Sequence, residues 1–243
     1  MQFTVITLFP EMFNAISEFG VVSRALKQNI IQMDLINPRE FTDDKHRTVD
    51  DRPFGGGPGM LLKVEPLKKA ITQANSKQNG RVIYMSPQGK KMDHKTAIRL
   101  SDYDHLILLA GRYEGIDERS MQYIDEEISI GDFTLSGGEI PAMAIIDSVA
   151  RLLPGTLGDK DSAIEDSFVS GLLDHPQYTR PEEFEGHKVP EVLLCGDHKK
   201  IELWRLQQRL GNTWLKRPDL LDKLELSEKE LKLLQTFKNE LKI

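Results

Sequence analysis

Three glycine-bearing loops in this chain each follow a short β-rich run. They are Tyr84-Met85-Ser86-Pro87-Gln88-Gly89, Ala110-Gly111-Arg112-Tyr113-Glu114-Gly115-Ile116-Asp117 and Ser129-Ile130-Gly131-Asp132-Phe133-Thr134-Leu135-Ser136-Gly137-Gly138-Glu139. Glycine lets backbone N–H and C=O groups come close to a ligand, and in open α/β sheets ligands bind beyond the carboxyl ends of strands. Taken singly, each loop reads as an ordinary strand-to-helix turn; taken together, they can converge on one flat heterocycle. A fourth stretch, Arg52-Pro53-Phe54-Gly55-Gly56-Gly57-Pro58-Gly59-Met60, has basic neighbours in Lys45, His46, Arg47 and Arg52. No Gly-Lys-Ser/Thr closes it, so it is not a nucleotide phosphate loop. No clear strand leads into it, so it is not a dinucleotide fingerprint either. It reads as a flexible surface loop or as a loop lying against a flat ligand or an RNA backbone.

Isolated charged residues say less. Asp166 sits in a polar, acidic stretch, 155–170, with Asp159, Asp161 and Glu165, and Arg151 lies near the end of a helix leading into it. By themselves they read as a solvated loop carboxylate and a surface cation. Asp174 is close to Tyr178 and Arg180; it reads as pairing with an arginine to hold the loop, or as assisting a base, with the supporting role favoured. The six histidines are scattered, without zinc-ligand spacing. His46, His175, His187 and His198 read as polar surface or RNA-facing groups. The single cysteine, Cys195, rules out a disulfide framework and a multi-cysteine zinc site, and is expected to be packed. The 32 basic and 38 acidic residues leave a net charge of −6, so only a local basic surface would suit nucleic acid. Asp197–Arg217 is one: Lys199, Lys200, Arg205, Arg209, Lys216 and Arg217 are opposed only by Asp197 and Glu202. Trp204 and Trp214 within it are expected in the core.

The elements that must position these residues follow from periodicity. Strands are expected at Phe3–Leu8, Ile31–Ile36, Arg81–Met85, His105–Ala110 and Glu127–Ile130. Helices are expected at Glu11–Gln28 with a break at Gly20, at Pro66–Ala74 and Lys91–Leu100, and again at Asp117–Tyr123 and Ile140–Leu153. This alternation predicts an α/β fold with a mostly parallel sheet covered on both faces. Residues 155–170 read as a mobile loop or linker. The chain turns helical from about Gly196, and Ser227-Glu228-Lys229-Glu230 fits a capping box. Hydrophobic residues are 39% and charged residues 29%, which disfavours a disordered chain. No apolar stretch approaches the roughly 18 residues needed to span a membrane, and the N-terminus does not read as a signal peptide. A cytoplasmic protein is the expectation.

The three loops, the Gly-Gly-Gly-Pro-Gly stretch, Glu165-Asp166-Ser167-Phe168 and the run Gly171-Leu172-Leu173-Asp174-His175-Pro176-Gln177-Tyr178-Thr179-Arg180-Pro181 resemble the bacterial tRNA (guanine-N1)-methyltransferase family, TrmD, of the SPOUT class. The resemblance extends over nearly the whole chain, to Trp204-Arg205 and Arg217-Pro218. Phe133 stands where the family commonly has tyrosine and His175 where it commonly has cysteine. The resemblance implies a deep trefoil knot in the α/β part, which composition and periodicity do not reveal, since knots are exceptions to the usual connection rules. The implied domains are a donor-binding knotted domain at 1–158, a flexible interdomain loop at 159–175 and a helical tRNA-binding domain at 176–243.

The activity it implies is methyl transfer from S-adenosylmethionine to N1 of guanosine 37 of tRNA, next to the anticodon. The competing readings are another knotted methyltransferase acting on ribose or ribosomal RNA, and a catalytically silent RNA-binding module. Guanine N1 carries a hydrogen at neutral pH, so the reaction needs a carboxylate base and a cation for the charge that shifts onto O6. The resemblance puts the base at Asp166 and the cation at Arg151. The implied donor residues are Tyr84, Ser86, Pro87 and Gly89 from the first loop, and Gly111, Tyr113, Glu114 and Gly115 from the second. Ile130, Gly131, Asp132, Phe133, Thr134, Leu135, Gly137, Gly138 and Pro141 come from the third. Substrate contacts are expected from Gly57, Gly59, Asp174 and Arg180. The resemblance also implies Mg²⁺, which Glu114 would help place through water, and a homodimer with composite active sites.

Overall fold

The computed structural model describes residues 1–158 and 166–241. The chain divides into two compact units, Met1–Lys160 and Asp161–Ile243. The first is built on a five-stranded, all-parallel sheet. Its strands are β1 (Gln2–Ile6), β2 (Gln32–Ile36), β5 (Arg81–Lys91), β6 (His105–Leu109) and β7 (Glu126–Ser129), in the order β2-β1-β6-β5-β7. Side chains alternate along a strand, and here the alternation sorts them into two cores. Phe3, Val5, Ile83, Leu106 and Leu108 face one buried cluster, while Ile6, Val82, Tyr84, Ile107 and Leu109 face the other. Every residue of central β6 is buried, as a strand covered on both faces requires.

Helices α2 (Gly20–Lys27), α4 (His94–Ser101) and α5 (Glu139–Ala150) bring Val22, Ala25, Leu100, Ile145, Ile146 and Val149 to the first cluster. Helix α3 (Val64–Ala74) closes the second with Leu67, Ala70, Ile71 and Ala74. The mostly parallel α/β expectation holds, with instructive differences at the boundaries. The expected Glu11–Gln28 helix is three pieces: a 3₁₀ turn at Pro10–Phe13, α1 (Asn14–Ser17) and α2. Gly20 has φ +75° and Phe19 is extended, which breaks the helical run. The helix expected from Lys91 starts only at His94. Asp93 caps it, accepting from the Thr96 N–H (2.8 Å) and hydroxyl (2.7 Å), while Lys91 still belongs to a strand. Asp117–Tyr123 is a 3₁₀ turn over Glu118–Tyr123 rather than an α-helix. The glycine-rich stretch, read above without a strand before it, is the tip of a small hairpin of β3 (Asp50–Asp51) and β4 (Leu61–Leu62). Two-residue strands are too short to leave a periodic signal. The start of the stretch read as mobile is fixed: Thr156 is fully buried, and the Arg24 guanidinium donates twice to its carbonyl, at 3.2 and 2.5 Å.

The second unit is helical: α6 (Glu191–Leu194), α7 (His198–Lys216), α8 (Pro218–Leu221) and α9 (Glu228–Glu240), with a short hairpin of β8 (Glu183–Phe184) and β9 (His187–Lys188). Its core is small. Leu172, Leu210 and Leu234 are buried, with Leu206, Trp214, Leu224 and Leu233 packed against them. The capping box is formed as read: the Ser227 hydroxyl accepts from Glu230 N–H and the Glu230 carboxylate accepts from Ser227 N–H. Of the interdomain loop expected over 159–175, residues 159–165 lie outside the described residues. The described part packs on the helices, with Leu172 in the core and the Leu173 N–H on the Thr213 hydroxyl at 2.9 Å.

Candidate active site

The second and third loops leave the carboxyl ends of β6 and β7; the first, expected after a strand ending at Met85, is instead an irregular bulge between Met85 and Lys90 inside β5, and the three meet. The Gly138 N–H donates to the Gly111 carbonyl at 2.8 Å, and Arg112 pairs with Gly137 as an isolated antiparallel bridge. Gly138 must be glycine for this contact: a Cβ there would lie 2.7 Å from the Ala110 Cα and 2.9 Å from the Gly111 N. The loops enclose a cavity of about 200 Å³. Tyr84, Ser86 and Pro87 line it from the first loop; Gly111, Tyr113, Glu114 and Gly115 from the second. Ile130, Gly131, Phe133, Thr134, Leu135, Gly137 and Gly138 line it from the third, together with Pro141 at the start of α5. All of these were expected on the donor side. Tyr113 has φ +61°, an uncommon conformation for a residue with a side chain. Strain of that kind gathers at ligand sites.

Two expected donor residues lie elsewhere. Gly89 is a packing residue: a Cβ there would meet the Glu127 carbonyl carbon at 2.4 Å, so it lets β5 continue past a bulge, with Lys90 beside Ile128 and Lys91 beside Ser129. Asp132 points to solvent and pairs with Lys91. Sequence reasoning missed Met85, Arg112, Ile128, Ser129 and Ser136, which also line the cavity. They sit inside the same three motifs or in the strands feeding them, so proximity in sequence was the available signal.

The cavity is mostly apolar and backbone-lined; Arg112 and Glu114 are the charged residues in its wall. Burial pushes the Tyr84 phenol up to about 12, with the Glu127 carboxylate adding to the effect. Its hydroxyl therefore stays neutral near pH 7. The hairpin that carries Gly57 and Gly59 is tied to the second loop at its base. Glu114 N–H donates to the Met60 carbonyl (3.0 Å), Leu62 N–H to the Gly115 carbonyl (3.0 Å) and Asp117 N–H to the Leu62 carbonyl (2.9 Å). Gly59 packs on the Glu114 side chain, and Gly57 is at the exposed tip with φ +120°.

The other expected residues fall in both units. Arg151 ends α5 in the first unit, its N–H on the Asp147 carbonyl at 3.1 Å. Asp166, Asp174 and Arg180 belong to the second. Asp174 does not pair with an arginine as expected. It accepts from the His175 N–H (2.6 Å) and from Gln177 Nε2 (3.1 Å), and Asn212 donates to its carbonyl (3.0 Å). It holds the turn through uncharged donors, and Arg180 is exposed. Among the histidines read as surface groups, His46, His187 and His198 are exposed, but His175 is buried. Its ring stands edge-on to Trp204 at 6.3 Å, with Nδ1 3.1 Å from the Pro176 carbonyl oxygen. Cys195 is exposed rather than packed, because it follows a single helical turn with no core beneath it. Both tryptophans are half-buried: Trp214 packs against the helical core as expected, beneath the Lys238 ammonium (4.6 Å), whereas Trp204 lies outside that cluster, beside Tyr178 (6.4 Å).

A family model described as tRNA (Guanine-1)-methyltransferase TrmD matches residues 1–223. The chain belongs to this family. Similar relatives carry the name tRNA (guanine-N(1)-)-methyltransferase. The Idiomarina loihiensis protein is 58% identical over 240 residues, covering 98% of this chain and 95% of the relative. The Pseudoalteromonas translucida protein is 59% identical over 239 residues, covering 97% and 94%. The Cronobacter sakazakii protein is 57% identical over 243 residues, covering 99% and 95%. Membership in the TrmD family joins the cavity to a methyltransferase. No helix among the described residues is long and apolar enough to cross a membrane.

Proposed function

We propose that this chain transfers a methyl group from S-adenosylmethionine to N1 of guanosine 37 of tRNA. The observation that carries the reading is the meeting of the β5 bulge with the loops after β6 and β7 around one cavity in a chain of the TrmD family. The cavity suits the donor. Its apolar wall, with Ile130, Leu135 and Pro141, fits a flat purine, and the loop backbones offer hydrogen-bonding groups to purine and ribose. S-adenosylmethionine held there supplies an electrophilic methyl group. Asp166 accepts the proton from guanine N1, which turns a poor nucleophile into a good one. Arg151 faces the charge that builds on O6; its planar fork matches guanine O6 and N7. Asp174 keeps the turn after Asp166 in shape, and Arg180 with Gly57 and Gly59 contacts the RNA. The basic face of α7 meets phosphates, so affinity falls with salt.

In this reading 1–158 holds the donor, 159–175 links, and 176–243 holds tRNA. Two copies form a homodimer in which each site combines the loops of one subunit with the Asp166 segment of the other. Closed two-fold symmetry gives two equivalent sites. We read the loop crossings between 84 and 138 as the trefoil knot of the SPOUT class, and the cytoplasm, where tRNA is processed, as the location. A protein cage for Mg²⁺ does not fit the described residues, none of which form a group of three or more candidate ligands. No step here depends on that ion, and Glu114 remains the cavity's carboxylate for a water-mediated contact.

Methyl transfer to tRNAs differing only at positions 36 and 37 tests the reading. Transfer is expected only with guanosine at 37, and Asp166→Asn should lower kcat by about 10²–10⁴-fold with donor binding unchanged. Equal transfer to a tRNA lacking that guanosine would point to a ribose or other acceptor. Mixing a donor-loop variant with Asp166→Ala should restore activity in proportion to the mixed dimers formed; background activity with abundant mixed dimers would overturn composite sites.

A further inference from the structure

Glu139 has no part in the chemistry above, yet it is a carboxylate with 1% exposure. A buried charge is costly unless it is paired. One Glu139 oxygen accepts from the Thr7 hydroxyl at 2.9 Å, just past β1. The other lies 2.9 Å from Arg112 Nε, as an ion pair in which the N–H does not point along the contact as in a hydrogen bond. The Arg112 guanidinium then spans the gap between two loops. Its Nη1 donates to the Ser136 carbonyl at 3.3 Å, its Nη2 lies 3.4 Å from Met12 Sδ, and its carbon sits 4.5 Å over the Phe9 ring. Arg112 lines the cavity; Glu139 and Thr7 do not.

We propose that Glu139 is a positioning residue for donor binding: through Arg112 it fixes the second and third loops at the spacing that forms the cavity. The proposal rests on the donor reading given above. The chain of contacts has a direction. Glu139 is anchored by α5 and by Thr7, both packed on the sheet, so it is the fixed end. Arg112 is the arm, and Ser136 on the third loop is what the arm holds. With the Glu139 charge gone, the guanidinium has no other carboxylate partner among the described residues, and the Ser136 carbonyl, Met12 Sδ and the Phe9 ring alone hold the arm less firmly. Groups that support a binding site set its precision in this way.

Glu139→Gln keeps the side-chain shape and an acceptor for Thr7 but removes the charge. Calorimetry should show the Kd for S-adenosylmethionine rising about ten-fold, with tRNA affinity unchanged. Amide exchange should quicken over 131–138 while β1 and β6 exchange as in the parent protein. A purely stabilising role would instead quicken exchange everywhere and leave the donor Kd of the folded protein alone. The double variant Arg112→Met/Glu139→Gln should bind donor as Arg112→Met does, because the pair acts as one unit. An unchanged donor Kd in folded Glu139→Gln, or losses that multiply in the double variant, would overturn the proposal. If Glu139→Gln does not fold, the double variant buries no lone charge and is compared with Arg112→Met on the same criterion. A parent protein that binds no S-adenosylmethionine would instead refute the donor reading, and exchange over 131–138 would then decide the positioning role alone.

Discussion

The two units solve the problem of holding side chains in place by different means. In the first, a central strand buried along its whole length feeds loops that are tied backbone to backbone, as in the Gly138–Gly111 and Leu62–Gly115 hydrogen bonds. In the second, three buried leucines form the core, and irregular segments hang on side-chain clamps. Arg209 donates to the Ser170 hydroxyl (2.6 Å) and Leu173 N–H donates to the Thr213 hydroxyl (2.9 Å). Backbone ties leave little room to adjust, which suits a cavity for a small, fixed ligand. The Arg209–Ser170 clamp is exposed and re-forms at low cost, which suits a surface that follows a polyanion, while the buried Thr213 hydroxyl pins the segment to α7.

The contrast breaks most readily in the cores. Leu108→Ala in β6 should cost about 4 kcal/mol and Leu234→Ala in α9 about 2 kcal/mol. Both tryptophans are in the helical unit, so urea melts followed by tryptophan fluorescence read that unit and far-UV dichroism reads both. Equal costs would mean that the small core is as tightly packed as the large one.

A second comparison concerns two glycines. Gly138→Ala forces backbone apart at the meeting of the loops and should raise the donor Kd about 100-fold. Gly186→Ala, in the exposed turn of the β8–β9 hairpin at φ +82° with nothing near its Cβ, should strain only that turn and leave donor binding as it was. Calorimetry on both variants separates the cases, and a tight-binding Gly138→Ala would show that the loops are less fixed than described.

The smallest effect is one of pH. Tyr84 is an acid whose pKa is raised in the folded protein from 10.0 to about 12. The fold therefore keeps that proton better than the unfolded chain does. The resulting stabilisation is complete below pH 10 and is lost as pH rises towards 12, by about 2 kcal/mol. Tyr84→Phe should flatten that part of the stability profile in urea titrations between pH 9 and 11 (roughly the accessible part of the window). An unaltered slope would mean that Tyr84 is more hydrated than its packing against Gly111 implies.

Much of the first unit was legible because its signals are local. A run such as His105–Leu109, wholly apolar after its first residue, has no reading other than a buried strand in an alternating α/β pattern. The second and third loops announced themselves through glycines close to strand ends, whereas the first turned out to be a bulge inside β5. The misreadings came where a neighbour decided. Gly89 looked like its fellow glycines, but contact with the β7 backbone claimed it for packing. Pairing with an arginine was one reading of Asp174, yet its partners are a main-chain N–H and a glutamine amide.

By itself, the sequence determined the parallel sheet, the helical C-terminal unit, the capping box at Ser227 and, through its motifs, the TrmD family. Each is set by the order and periodicity of residues near one another in the chain. Only the tertiary structure decided that Arg112 and Ser136 line the cavity, that Glu139 is buried behind it against Thr7, and that His175 sits beside Trp204 instead of in solvent. Those outcomes depend on residues brought together from distant parts of the chain, and the desolvation that fixes a buried charge to its partner exists only once the chain has closed around both.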